Sequence, residues 1–227
     1  MTLSAEKRTE RSVDSLQKVY AFVISLALVQ AIQIVLVDRS TMDFVDVQTM
    51  LERAPAFVAL LLVLVPFYHG MNRHLDVCYI ENLDGQRAEA ALLFDFVVFF
   101  IDSCLLFAVA YSIGHGLRPF VFLGILLGVD VVWSAISHFI HYTLTEVRSV
   151  KRWAVINFGA VGASLFVGLN EWYAPGSKAW LLLVIALGRT VCDYAFCWSF
   201  YFPKDISRRP SPVRAIEVTA PSAKVSN

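Results

Sequence analysis

A chain of 227 residues with 57% apolar side chains exceeds the roughly 45–50% usual in soluble domains, which excludes an ordinary soluble fold. Its 19 basic and 19 acidic residues cancel, which argues against nucleic acid as a partner. The four cysteines make no disulfide framework. Cys104, Cys192 and Cys197 fall in apolar runs, and Cys78 falls in a loop placed in the cytosol, where thiols stay reduced.

Residues 1–18, with Lys7, Arg8, Arg11 and Lys18, read as a cytosolic N-terminal arm. The apolar run that follows is too long for the core of a cleaved export signal. It leads to Val37-Asp38-Arg39 without a small-residue cleavage site, so it is expected to stay as an anchor. Crossing a bilayer takes about 20 mostly apolar residues, and six runs qualify: Val19–Val37, Ala54–Met71, Ala90–Ile113, Pro119–Leu144, Trp153–Leu169 and Ala179–Phe202. Almost none has the polar stripe that an outer helix of a soluble bundle needs. The expected fold is all-α: a polytopic membrane protein with six transmembrane helices over 19–202 in one bundle with a polar interior.

Between the first two runs, Phe44, Val47, Met50 and Leu51 recur at helical spacing, so 38–53 is expected to hold a short interfacial helix. Pro66 removes a backbone donor from the second run and is expected to kink it. The fifth run carries Gly159, Ala160, Gly162, Ala163 and Ser164, a small-residue surface expected to pack within the bundle rather than form a dimer seam. Tyr142, Trp153, Trp172, Tyr173, Trp180 and Tyr201 fall near run ends, as interfacial anchors do. Residues 203–227, rich in Pro, Ser and Val, read as a disordered cytosolic tail.

Lysine and arginine set the orientation. The arm, the loops after the second and fourth runs and the tail hold 14 of the 19 basic residues; Arg39, Arg53, Arg118 and Lys178 stand opposite. Both termini are therefore expected in the cytosol, consistent with an even number of spans and with a plasma (inner) membrane.

A charge at the centre of a spanning helix costs about 2.5–3.5 kcal/mol on insertion scales, so each one is a candidate site residue. At 100° per residue, Asp95 and Asp102 share a face of the third run, separated by about 20°. Asp130, Ser134, His138 and His141 fall within about 80° on the fourth, and Arg189 and Asp193 are one turn apart on the sixth. All three stripes are expected to face the interior. Asp102, Asp130 and Arg189 lie near the midplane; Asp95, His138 and Asp193 lie nearer the cytosol. Arg189 has Asp193, Asp102 and Asp130 as candidate partners. With one arginine against four aspartates, some carboxyls must be protonated, hydrated or bound to a cation.

The histidines form two pairs, His69 with His74 and His138 with His141, at cytosolic ends of runs. His and carboxylate ligands suit Zn, Fe, Mn or Ni, so a divalent metal is a candidate cofactor on these four histidines with Asp76 or Asp95. The His69-x4-His74 spacing is similar to the first histidine box of membrane fatty-acid desaturases and hydroxylases. Their di-iron sites need more histidines than the five present, which excludes that family. Ser134 and His138 look like part of the Ser/His/Asp pattern of zinc-dependent seven-span membrane hydrolases. Those require a further histidine pair near the last span, where this chain has Arg189 and Asp193. No phosphate loop, nucleophile elbow, Rossmann fingerprint or redox C-x2-C pair is present, and the balance is against an enzyme.

The leading expectation is a transporter or channel for a cation, proton or small solute, using Asp95, Asp102, Asp130, Ser134, His138, Arg189 and Asp193 in a cluster open to the cytosolic side. The alternatives are a non-catalytic membrane subunit or sensor, and a metal-dependent membrane enzyme acting on a lipid-like substrate. Expected partners are the lipid bilayer and either a second copy of the chain or a membrane partner protein.

Overall fold

The computed structural model describes residues 5–38, 40–81, 88–140, 147–170 and 172–203. Six helices form: α1 (Ala5–Leu36), α2 (Val47–Leu75), α3 (Ala88–Tyr111), α4 (Arg118–Ile140), α5 (Val147–Leu169) and α6 (Pro175–Tyr201). A π-helix, Asp76–Glu81, prolongs α2. All six are long and apolar enough to cross a membrane. The expected all-α, six-span bundle is what forms. His141, Tyr142 and residues 204–227 lie outside the described residues.

The helices close into a ring. Each packs on the next in the order α1, α3, α4, α5, α6, α2 and back to α1, and α2 also touches α3. The starts of α1, α3 and α5 lie with the ends of α2, α4 and α6 on one side, here termed the terminal face. Gln17 near the start of α1 donates to Asp76 after the end of α2 at 3.0 Å, and Arg73 of α2 donates to the Phe200 carbonyl of α6 at 3.0 Å.

Several helix boundaries differ from those in the sequence reading. Helix α1 runs back through the basic arm to Ala5, and α5 starts at Val147, which lengthens the short fifth span. Among the described residues, no separate interfacial helix occupies 38–53. Asp46 caps α2 directly, accepting from the Thr49 amide at 2.8 Å and hydroxyl at 2.9 Å, so the apolar spacing noted from Val47 onward belongs to the first turns of α2. Before it, Asp38 accepts from the Ser40 amide and hydroxyl at 2.8 and 2.6 Å, and these bonds hold its carboxyl below its ordinary range.

Backbone groups inside the bilayer need partners, because no water reaches them. Pro66 has no N–H to give the Leu62 carbonyl one turn back. The Thr190 hydroxyl of α6 donates to that carbonyl at 2.5 Å instead. On the face opposite the terminal one, Arg53 of α2 donates to the Ile34 carbonyl at 2.5 Å and Lys178 of α6 to the Gly168 carbonyl at 3.3 Å. Each cation thus sits at the C-terminal end of a neighbouring helix, where the dipole favours it.

The small residues of α5 divide between two environments. Ala160 and Ser164 are buried, and Gly168 lets α4 approach so closely that a Cβ there would lie 2.9 Å from Cβ of Phe120. Gly159 and Gly162 face outward, with nothing within 4 Å of an added Cβ. Expected to pack inside the bundle, these two do not, because Asn157 and Ser164 turn the other side of α5 inward.

Candidate functional site

Every charged residue singled out in spans three, four and six is buried: Asp95, Asp102, Asp130 and Asp193 are 0% exposed and Arg189 4%. Exposing these groups to acyl chains is the costly alternative, so they fix which side of α3, α4 and α6 faces the ring interior. Hydrogen bonds and ion pairs gather them into two groups, one around Asp95 and one around Asp130, Arg189 and Asp193.

The first lies toward the terminal face. The Asp95 carboxylate of α3 accepts from Tyr79 Oη of the π-helix at 2.7 Å, Trp133 Nε1 of α4 at 2.8 Å and His74 Nε2 of α2 at 3.0 Å. Three donors from two other parts of the ring satisfy a carboxylate that would otherwise be stranded. The imidazole is wedged edge-on between Phe99 and Trp133, with ring centroids 5.9 and 4.8 Å away. Tyr79 is one of the buried residues of the π-helix. Such segments are uncommon and often mark functional positions.

The second centre lies deeper. Asn157 of α5 donates through Nδ2 to Asp130 of α4 and accepts from Arg189 Nε of α6 at 3.0 Å. One amide thus joins an acid and a base on three different helices. Arg189 also pairs with Asp193 Oδ2 at 3.4 Å, and its guanidinium lies 5.0 Å from the centroid of Phe67 on α2, a buried cation–π contact. Tyr201 donates to the same Asp193 oxygen at 2.9 Å, from two turns further along α6. Cys197 between them has non-helical backbone angles, and that kink brings the tyrosine back over the acid. Of the three partners foreseen for Arg189, then, Asp193 is direct, Asp130 is reached through Asn157, and Asp102 makes no hydrogen bond with it.

Asp102 is the exception to this pairing. Among the described residues, neither of its oxygens has a hydrogen-bond partner. Ser134, one turn from Asp130, is buried with its hydroxyl equally unpartnered.

A small cavity, with room for about one water-sized species, is lined by His74 and Trp133 of the first centre and by Asp193 and Tyr201 of the second. Gly70 gives Tyr201 its place: a Cβ there would lie 3.3 Å from Oη. Trp153, at 8% exposure, and Tyr201, at 4%, were expected as interfacial anchors and instead turn inward, whereas Trp172 and Trp180 do face outward.

The histidines separate. His74 belongs to the Asp95 centre. His69 packs against Tyr201 and Phe202 at 4.8 and 5.4 Å, with Nδ1 3.4 Å from the Tyr194 hydroxyl, and His138 is half-buried near the end of α4. Among the described residues no three His, Cys, Asp or Glu side chains gather so as to hold a metal ion. His141, the fourth proposed ligand, lies outside them.

Asn157, Tyr79 and Trp133 were not foreseen, and Tyr201 was expected only as an anchor. A lone asparagine in Val155-Ile156-Asn157-Phe158 was a readable signal, because an amide inside a span seeks a partner on another helix. Tyr79 carried no such signal, since its direction depends on the π-helical register. Compared with known proteins, the chain matches no family model, no curated protein and no solved structure.

Proposed function

We propose that this six-span membrane protein is a transporter for a proton or a small cation, with Asp102 and Asp130 as the groups that take it up. The observation that carries this reading is Asp102, fully buried and with neither oxygen hydrogen-bonded among the described residues. Asp95 has three donors, Asp193 has Tyr201 and Arg189, and Asp130 has Asn157. An ion as bare as Asp102 costs several kcal/mol to hold away from water. A mobile cation or proton removes that cost, and its departure restores it. This makes the residue a loading position rather than a permanent strut.

The polar groups are graded in depth, which supports entry from the terminal face. From that face the sequence of groups is Tyr79, Asp95 and His74, then the cavity beside Asp193, then Arg189, Asn157 and Asp130. Toward the opposite face, the next turns of α3, α4 and α6 contribute Leu106, Leu126 and Ala186, all buried. An apolar layer there fits a carrier that opens to one side at a time better than a continuous pore. The lysine and arginine bias supports a cytosolic terminal face.

The test is ion flux into vesicles holding the purified chain, with an imposed proton or sodium gradient. Asp102→Asn keeps the size of the side chain and removes its charge; flux is expected to fall to the level of empty vesicles while the protein still elutes as a folded species. Undiminished flux in that variant overturns the reading. A second reading, in which the buried charges only dock helices, draws on the Asp130–Asn157–Arg189 bridge. It predicts no flux in wild type, and instability in each single variant of those three residues.

A further inference from the structure

Cys78 stands in the π-helix, one turn beyond His74, and is partly exposed near the terminal-face end of the second span, Val47–Glu81. Its Sγ lies 3.6 Å from Nδ1 of His74, and Nε2 of the same ring faces Oδ2 of Asp95 at 3.0 Å. A thiol and a buried carboxylate thus meet opposite nitrogens of one imidazole. A carboxylate accepts, so Nε2 carries the proton toward Asp95 and Nδ1 offers its lone pair to the thiol. Tyr79 and Trp133 hold Asp95 in turn, and Phe99 and Trp133 fix the plane of the ring. Nucleophile, base and orienting acid are recognised by this geometry and not by their order along a chain.

We propose that Cys78 is a self-acylating thiol that takes an acyl group from a long-chain acyl thioester, with His74 as general base and Asp95 as the residue positioning it. The depth of Cys78 selects the acyl class. A thiol at the end of a span meets reagents whose chain lies among lipid tails and whose reactive head lies at the surface, and cysteines so placed are acylated reversibly. In the step, Nδ1 of His74 removes the Cys78 proton as sulfur attacks the thioester carbonyl carbon. The new carbon–sulfur bond forms, the bond to the leaving thiol breaks, and that sulfur takes the proton back from His74. No electron donor or acceptor is needed. This inference is independent of the transport reading, since it uses neither Asp102 nor Asp130.

The experiment incubates the purified full chain in lipid vesicles with palmitoyl coenzyme A and follows intact mass. One hydroxylamine-sensitive adduct is expected, absent from Cys78→Ser, and formed at least about tenfold more slowly in His74→Gln, in line with the contribution of a positioned base. Asp95→Asn keeps the shape but favours the wrong imidazole tautomer. Its rate is expected to be low at neutral pH and to rise with pH more steeply than that of wild type. A purely structural role for Asp95 would leave that profile unchanged. Elution of each variant in detergent as a single species at the wild-type volume serves as the reference for folding. No adduct in wild type, an adduct that survives Cys78→Ser, or equal rates in folded wild type and His74→Gln would each overturn the proposal.

Discussion

A single hydroxyl illustrates how the sequence settles its own conflicts. Pro66 leaves the Leu62 carbonyl without a donor in the middle of a span, and Thr190 supplies one from α6 at 2.5 Å. Thr190→Val removes that donor at nearly constant volume and should cost about 1–3 kcal/mol, the penalty of an unsatisfied buried acceptor. Pro66→Ala restores the helix's own N–H, so the same valine change in that background should cost much less. Thermal unfolding of the four proteins in detergent closes the cycle, and additive effects would show that the two residues are unconnected. At the other end of the scale of burial, Asp46 is fully exposed and its carboxyl is held below its ordinary value of 3.8, first by the Thr49 amide and then by the Thr49 hydroxyl. A depressed carboxyl stabilises the folded form above its ordinary value, and that contribution disappears as pH falls through the lower folded value. Hydrogen exchange at the Thr49 amide should therefore be slower in wild type than in Asp46→Ala at neutral pH. In strong acid the two should converge; a gap that persists there would mean the carboxylate is not what caps the helix.

Helices were legible at the level of elements because each had to present about 20 apolar residues to lipid, a requirement that leaves little ambiguity in composition. Which side of each faced inward was legible wherever a charge marked it, as with Asp95 and Asp102. It was misread on α5, where the marker was an uncharged asparagine and the small residues drew attention to the wrong side. Continuation of α2 through the π-helix was not legible, since nothing in Asp76-Val77-Cys78-Tyr79-Ile80-Glu81 distinguishes π from α register. The glycines of α5 give this a measurable form. At Gly168 a Cβ would meet Phe120 at 2.9 Å and Leu117 at 3.0 Å, so Gly168→Ala must spread α4 from α5, at about 1–3 kcal/mol. At Gly159 an added Cβ meets nothing within 4 Å, and helix propensity alone makes Gly159→Ala neutral or stabilising by up to about 1 kcal/mol. Melting temperatures in detergent should therefore move in opposite directions. Loss of stability in Gly159→Ala would mean that a second copy of the chain packs on that surface.

The ring as a whole divides across its thickness. Its terminal half carries the His74–Asp95 centre and the cavity beside Asp193, while the half beyond Asp102 and Asp130 is filled by aliphatic side chains such as Leu60, Leu106, Leu123 and Leu126. The six-helix ring permits this because every helix has at least two neighbours, so polar groups can be paired across the interior without exposing any to lipid. Under the transport reading, the aliphatic half is the barrier that keeps a loaded Asp102 from communicating with both faces at once. Weakening it should then uncouple binding from conformational change. Leu126→Asn places an amide one turn from Asp130, on its far side, and gives water a foothold in the sealed layer. Vesicles containing that variant should leak protons severalfold faster than wild type under a membrane potential. Adding Asp102→Asn should abolish the leak if the ion still passes through the acidic position. A leak indifferent to Asp102 would place the ion's route elsewhere in the bundle, and no leak at all would mean that the aliphatic layer is packing rather than a gate.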